Sequence, residues 1–152
     1  MSDFRVAVRR TNEWDGPSML KIYTPYVEKT HYTPDTEVPT LAEYVQRIDT
    51  YTYGRMWILT EINNQTAGFC FLTDRDIPKD DLFSADAQLY VSEKCLHSGV
   101  GTSLYSLMLD IMHYANYSRV TAHINLPNDA AVAFHKKMGF HEVSKTDGVL
   151  LM

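Results

Sequence analysis

A long amphipathic helix set between two strand-like runs, with a hairpin ahead of it, predicts an α/β fold. From Gly99 to about Tyr117, the residues Leu104, Leu107, Met108, Ile111 and Ala115 recur at three- and four-residue steps, which is the period of one helix face. Ala87 to Ser92 before this helix and Val120 to Leu126 after it are runs of strand length, the second mostly apolar. Arg55 to Ile62 and Thr66 to Thr73, joined at Asn63-Asn64-Gln65, read as the two arms of a hairpin.

The other elements fall in order around these. Phe4, Val6 and Val8 alternate with Arg5 and Arg9, the pattern of a half-buried first strand. Asp15-Gly16-Pro17-Ser18 opens a helix to about Lys29 with Leu20, Tyr23 and Val27 on one face. After a Thr- and Pro-rich connection from Thr30 to Asp35, Thr40 and Glu43 stand three apart, the spacing of a capping box. They start a helix whose buried stripe is Leu41, Tyr44, Val45 and Ile48. Asp74 to Asp86 is acidic, contains Pro78 and reads as a loop. Asn128 to Met138 is a short helix stopped by Gly139. Phe140 to Lys145 and Val149 to Met152 are final strands about a tight turn at Thr146-Asp147-Gly148.

With 152 residues, the chain is expected to form one domain over 1–152, since roughly 100 to 200 residues make one unit. Fourteen basic and 19 acidic residues give a net charge of −5, and no basic cluster offers a grip on nucleic acid or on an anionic membrane. The longest uncharged stretch, between Lys94 and Asp110, is broken by glycines, serines and threonines and is too short to span a bilayer. The first residues carry no apolar secretory core. Cys70 and Cys95 are the two cysteines and form neither a disulfide framework nor a zinc spacing. A cytoplasmic location is the expectation.

Two segments carry chemistry. In the first, the strand Leu89-Tyr90-Val91 leads through Leu96-His97-Ser98 to Gly99-Val100-Gly101-Thr102 at the start of the long helix. Such an end leaves main-chain N–H groups pointing outward, where they suit a phosphate. Its Gly-x-Gly is followed by neither Lys-Ser/Thr nor a third glycine, so it is neither a Walker loop nor a dinucleotide fingerprint. The second segment, Asn128 to Phe140, orders a capping Asn, small residues, Phe134-His135, a glycine stop and a strand. Taken singly, each also reads as plain structure: a tight turn, and a short capped helix with His135 on its surface.

In this order the two segments resemble the GNAT superfamily of acetyl-CoA-dependent N-acetyltransferases. Asn128, Ala131, Gly139 and Phe140 match that family's Asn-x-x-Ala-x-x-x-Tyr-x-x-x-Gly-Phe in register, with His135 at the tyrosine position. Gly99 and Gly101 match its Gln/Arg-x-x-Gly-x-Gly/Ala, with Leu96 where Gln or Arg usually stands. The strand Leu89-Tyr90-Val91 and the His in the tyrosine slot look most like the phosphinothricin and methionine-derivative acetyltransferases. That group has a longer loop and a Trp-Asp strand after Gly-Phe; here Phe140 is followed by twelve residues.

The resemblance implies a central mixed, mostly antiparallel sheet with splayed middle strands and about four helices. It implies acetyl-CoA as co-substrate, no metal, and transfer to a primary amine of a small molecule, an amino acid or a similar compound. Leu89, Tyr90, Val91 and Asn128 would hold the pantetheine arm. His97, Ser98, Gly99, Val100, Gly101 and Thr102 would cradle the pyrophosphate. Asp86 aligns with an acidic residue of the phosphinothricin group and would be the base, and His135 would serve the departing thiolate. Of His31, Tyr32, Tyr51, Tyr53 and Trp57, Tyr32 is the candidate for the acceptor pocket. His113 and His123 read as a helix-face and a strand residue. Two rivals stay open: a polyamine or other cationic acceptor drawn by Asp74, Asp76, Asp80, Asp81 and Asp86, and an acyl-CoA-binding module without turnover. The oligomeric state stays open too, a homodimer included.

Overall fold

A computed structural model describes residues 5–52 and 56–152. Phe4, Tyr53 and Arg55 lie outside the described residues, as does the side chain of Tyr51. The first strand, β1 (Val6–Arg10), is followed by a short turn of helix at Glu13–Asp15 and then α1 (Gly16–Lys29). Asn12 caps this turn, its side chain accepting from the Trp14 N–H at 2.9 Å. Asp15 stands at the N-cap position of α1, as the sequence predicts, but makes no side-chain cap bond to that helix; its carboxylate turns back to the Asn12 N–H and to Arg9. The expected inward face of β1 is also corrected. Val6 is 56% and Val8 39% exposed, because β1 pairs with β2 alone at the sheet edge, and its Arg9 spends its charge on Asp15 and Glu61.

The capping box forms as expected: the Thr40 N–H donates to Glu43 Oε2 and the Glu43 N–H to Thr40 Oγ1, both at 3.2 Å. It opens α2 (Leu41–Thr52). Tyr44 and Ile48 are buried, Val45 is half-buried, and Leu41 is exposed at the first turn. Gly16 is required where α1 meets α2, since a Cβ there would lie 2.6 Å from Val45 Cγ2. Strands β2 (Trp57–Ile62) and β3 (Gln65–Thr73) form the hairpin. Its turn is the two residues Asn63 and Asn64, both at positive φ, the conformation that matches strand twist.

The largest revision concerns β4, which spans Ser84–Val91, so that Asp86 lies inside a strand and not at the end of a loop. Next come α3 (Val100–Tyr114), β5 (Arg119–Thr121), β6 (His123–Asn125), α4 (Asp129–Lys137), β7 (Ser144–Thr146) and β8 (Val149–Leu151). The strand expected from Val120 to Leu126 is thus two strands. The last hairpin turns at Asp147 and Gly148, both at positive φ.

The sheet order is β1-β2-β3-β4-β5, with β4–β5 parallel and the other pairs antiparallel; β6-β8-β7 make a second, antiparallel sheet. The alternation of strand side chains divides the core. Trp57, Leu59, Phe69, Phe71 and Tyr90 meet α1 and α2 on one face. Ile58, Cys70, Leu72, Ala85 and Ala87 meet Leu104, Tyr105, Met108 and Met112 of α3 on the other. Trp57 and Phe71 stack with ring centroids 3.9 Å apart; each large side chain buried in this way contributes about 1.5–3 kcal/mol. Among the described residues, no helix is long and apolar enough to cross a membrane.

The cysteines sit in unlike surroundings. Cys70 is fully buried, and burial pushes its thiol far above the usual range, which leaves little reactive thiolate. Cys95 is half-buried beside the turn into α3. In the native protein Cys95 is expected to be alkylated at least tenfold faster than Cys70, with the two rates converging in denaturant. Peptide mass spectrometry of timed samples measures both, and equal native rates would contradict this packing.

Candidate active site

Where the main sheet ends, a cleft begins. Asp86 pairs with Thr121 as the last residues of the β4–β5 register. At the next position the chain changes partner: Ala122 N–H donates to Met152 O, and Met152 N–H to Ala122 O, each at 2.9 Å. Beyond this point β6 follows β8 and departs from β4. The gap has a volume of about 280 Å³ and is lined by β4 from Ala87 to Val91, by Ala122 to Asn125, and by Tyr32, Asn128 and His135. The N–H of Ser92 bonds to Ala67 O on β3. Because main-chain groups alternate along a strand, Leu89 and Val91 face the gap while Tyr90 faces β3. The Tyr26 hydroxyl donates to Val91 O at 2.6 Å from the cleft side, in keeping with that alternation. Tyr90 contributes its ring to the core, 4.8 Å from Tyr23.

At one rim stands the N-terminus of α3. Gly99 is its cap in the left-handed region, and no side chain caps the helix. Ser103 N–H makes the first ladder bond, to Gly99 O at 3.0 Å, which leaves the preceding N–H groups without ladder partners. His97 also has positive φ, the Ser98 hydroxyl donates to Cys95 O, and Val100 turns into the core. A Cβ on Gly101 would meet Leu89 Cδ2 at 3.3 Å and Val91 Cγ2 at 3.5 Å. The helix end therefore lies against the cleft strand at a separation that suits glycine. Thr102 is exposed. Leu96 lines the cleft, 47% exposed, and brings an apolar side chain to this rim.

The other rim is α4. Asn128 caps it, with Oδ1 accepting from Ala131 N–H at 3.2 Å, so the NH₂ end of the amide is not used by the cap. His135 is set by two contacts: Nδ1–H donates to Ala131 O at 2.8 Å, and Nε2 accepts from the Tyr105 hydroxyl at 3.0 Å. Burial lowers its pKa below the usual 6.5, so the ring is neutral near pH 7, consistent with that pattern. Over the mouth lies the segment 30–35. Asn125 Nδ2 donates to the carbonyls of His31 and Thr33 at 2.8 and 3.2 Å, and His31 Nε2 to Pro127 O at 2.7 Å. This anchoring holds Tyr32 at the cleft.

Asp86 is 0% exposed and reaches the cleft through His123, which the sequence marks only as a strand residue. Its Oδ1 accepts from Thr121 Oγ1 at 2.9 Å and from His123 Nδ1 at 2.7 Å. Its Oδ2 has no hydrogen-bond partner among the described residues. His123 Nε2 in turn lies 2.8 Å from Asp76 Oδ2. The bond to Asp86 raises the His123 pKa above 6.5, burial opposes it, and Asp76 adds to the rise. The signal was present in the sequence: Thr121 and His123, two apart, are polar residues on one face of a mostly apolar run.

Beside the cleft is a second chamber of about 370 Å³, walled by Tyr23, Tyr44, Trp57 and Phe71 and sharing Gln88 and Arg75 with the cleft. Arg47 in its wall is held by Asp35 in a two-point ion pair at 2.7 and 2.9 Å.

A mixed sheet that parts after β4, with an uncapped glycine turn on one rim and an Asn-capped helix on the other, defines a known class of acyl-transfer proteins. The chain belongs to the acetyltransferase (GNAT) family, whose sequence model matches residues 17–140. Among individual proteins, it is 24% identical over 135 residues to the phosphinothricin N-acetyltransferase of Streptomyces viridochromogenes, covering 89% of this chain and 74% of that one. It is also 24% identical over 142 residues to a peptidyl-lysine N-acetyltransferase of Escherichia coli, covering 93% and 86%. A solved phosphinothricin acetyltransferase from Sinorhizobium meliloti, in complex with AcCoA, superposes with a TM-score of 0.86 at 18% identity, over 97% of this chain and 86% of that one.

Proposed function

We propose that the protein transfers the acetyl group of acetyl-CoA to the primary amine of a small molecule, an amino acid or an amino-acid-like compound. The observation that carries this reading is the cleft itself, lined by Leu89 and Val91 of β4 and by Asn128 and His135 of the α4 rim, with the first turn of α3 lying against Leu89 and Val91 at Gly101. Leu89 and Val91 offer main-chain donors and acceptors to a pantetheine arm, and Asn128 offers its amide NH₂ from the other side. The turn from His97 to Thr102 presents N–H groups and the positive end of a helix dipole to a pyrophosphate. When bound there, acetyl-CoA supplies an activated acyl group. The Val91 N–H stabilises charge developing on the acyl oxygen. An amine attacks only when neutral, so a base must take its proton; the buried Asp86 serves this through the hydrogen-bonded group at the cleft wall. His135, whose Nε2 gives up its bond from the Tyr105 hydroxyl to do so, relays to the departing sulfur the proton that the acylated nitrogen loses.

The acceptor occupies the aromatic chamber beside the cleft, reached past Tyr32, with Arg75 on the shared wall as a partner for an acceptor carboxylate. A polycationic acceptor gains less support from the geometry. Of the five acids that suggested one, Asp86 and Asp76 are bonded to His123, and Asp81 accepts from the Phe83 N–H at 3.0 Å.

Titration with acetyl-CoA tests the cofactor half. A ligand that binds only the native state stabilises it by about 2.7 kcal/mol at a hundredfold excess over its dissociation constant, and Tm rises accordingly. Thr102→Glu places a carboxylate on the exposed first turn of α3, where a helix end tolerates or gains about 0.3–1 kcal/mol from negative charge. The variant is expected to keep its Tm without ligand and to lose at least tenfold in acetyl-CoA affinity. Undiminished affinity would move the pyrophosphate elsewhere. Release of CoA across amino acids, polyamines and lysine peptides tests the acceptor; binding without release from any of them would favour a module that does not turn over.

A further inference from the structure

We propose that His123 is the group that exchanges a proton with the acceptor amine, that Asp86 is a positioning residue behind it, and that Asp76 is a movable counter-charge in front of it. This rests on the acetyl-transfer reading above and adds a base that the sequence did not single out. The first argument is accessibility. Asp86 is enclosed, with 1% of its side chain exposed, and its one partnered oxygen is taken by Thr121 and His123. An acceptor nitrogen cannot come within hydrogen-bond distance of that oxygen without displacing one of them. His123 lines the cleft wall, and its Nε2 is the far end of the same hydrogen-bonded row.

The second argument is the contrast between its two acids. Nδ1 is fixed to a carboxylate in the core, while Nε2 meets Asp76, whose side chain is 76% exposed on the loop before β4. The fixed contact sets the ring orientation and the tautomer: with Nδ1–H committed to Asp86, the basic lone pair of the neutral ring is on Nε2. The exposed contact is replaceable. An incoming ammonium group pairs with Asp76 and draws it from Nε2, which then releases its proton to solvent and turns a lone pair to the amine. In the step that follows, an N–H bond of the ammonium breaks and an Nε2–H bond forms. The amine nitrogen then bonds the acyl carbon as the carbon–sulfur bond breaks, and its surplus proton leaves with the sulfur.

The charged groups acting on the imidazole are Asp86 from β4, with Asp76 and Arg75 from the loop before it; the first two raise its pKa and Arg75 lowers it. Tyr32, Tyr105 and His135 share the cleft lining. Activity that requires neutral His123 must therefore rise with pH on a limb above the usual value of 6.5, and removing Asp76 must move that limb to lower pH.

The experiment combines the pH profile of kcat/KM with NMR titration of the His123 imidazole in protein free of acetyl-CoA. In the parent protein the limb and the titration are expected to coincide. In Asp76→Asn, an exposed change that leaves the fold intact, both shift downward together and the plateau rate falls less than tenfold. His123→Gln loses on the order of 10²- to 10³-fold in rate and loses the limb, while acetyl-CoA titration shows unchanged affinity. An Asp76→Asn protein whose imidazole titration moves while its limb stays would overturn the proposal, as would a His123→Gln protein that keeps the parent limb. A parent protein that binds acetyl-CoA and turns over no amine would overturn the acetyl-transfer reading first, and this proposal with it.

Discussion

Replacing Asp86 by Asn is expected to lower kcat by about 10²- to 10⁴-fold near neutral pH and to leave acetyl-CoA affinity within a few-fold. The carboxylate touches no part of the surface assigned to the co-substrate. Its contacts are Thr121 and His123, so its loss is felt by the proton path alone. The same substitution has a thermodynamic signature. The His123 pKa is raised first by its hydrogen bond to Asp86, and a group with a raised folded pKa stabilises the fold fully below its unfolded value. That contribution is lost as pH rises through the folded value. Asp86→Asn should therefore be most destabilising below about pH 6.5, where breaking a buried pair costs on the order of 3–5 kcal/mol. It should be milder at a pH above the raised folded value, where the imidazole is neutral in either protein. Turnover, acetyl-CoA titration and urea unfolding at both pH values make the test. Unchanged kcat at equal folded fraction would leave Asp86 a structural residue, and an equal stability loss at both pH values would uncouple it from His123.

The parts of this fold that could be read from the sequence are those whose cause is local. The Thr40–Glu43 box, the turn at Asn63 and Asn64 and the helix α3 each involve groups within four residues of one another. The box forms as expected, Gln65 passes from the expected turn into β3, and of the expected α3 stripe Leu104 and Met108 are buried and Ile111 half-buried while Leu107 and Ala115 are exposed. What could not be read depends on pairing across the chain. β4 begins at Ser84 because Ser84, Ala85 and Asp86 pair with Arg119, Val120 and Thr121. Before that partner is known, an acidic, Pro-containing stretch ending at Asp86 looks like solvated loop. Val6 and Val8 alternate correctly for a strand, but alternation cannot say whether a helix covers that edge; both stay exposed there. The candidate site divides in the same way. Gly99, Gly101, Asn128 and His135 stand in short motifs, whereas His123 gains its meaning from Asp86, 37 residues earlier in the chain. The resemblance gives Tyr90 the same role as Leu89 and Val91; strand alternation instead turns its main chain to β3 and its ring to the core.

His135→Phe is expected to lower kcat by at least 10²-fold with acetyl-CoA affinity nearly unchanged, and to lose stability for a separate reason. In the parent protein the Tyr105 hydroxyl, on a fully buried side chain, donates to His135 Nε2 at 3.0 Å. Phe at 135 keeps an aromatic body against Tyr105 and Phe140 but removes this acceptor, and an unsatisfied buried hydroxyl costs about 1–3 kcal/mol. A packing role and a proton-transfer role would both reduce activity in the single variant, so the single variant does not separate them. The double variant His135→Phe, Tyr105→Phe does, because it removes both partners of the bond and should recover most of the stability. If His135 carries the proton to the departing sulfur, kcat stays low in the double variant while Tm returns toward the parent value. If His135 only packs, kcat returns with Tm. Tyr105→Phe alone completes the argument: it leaves the imidazole in place without its donor, and a drop in kcat at near-parent Tm would show that the phenol and the imidazole pass the proton as a pair.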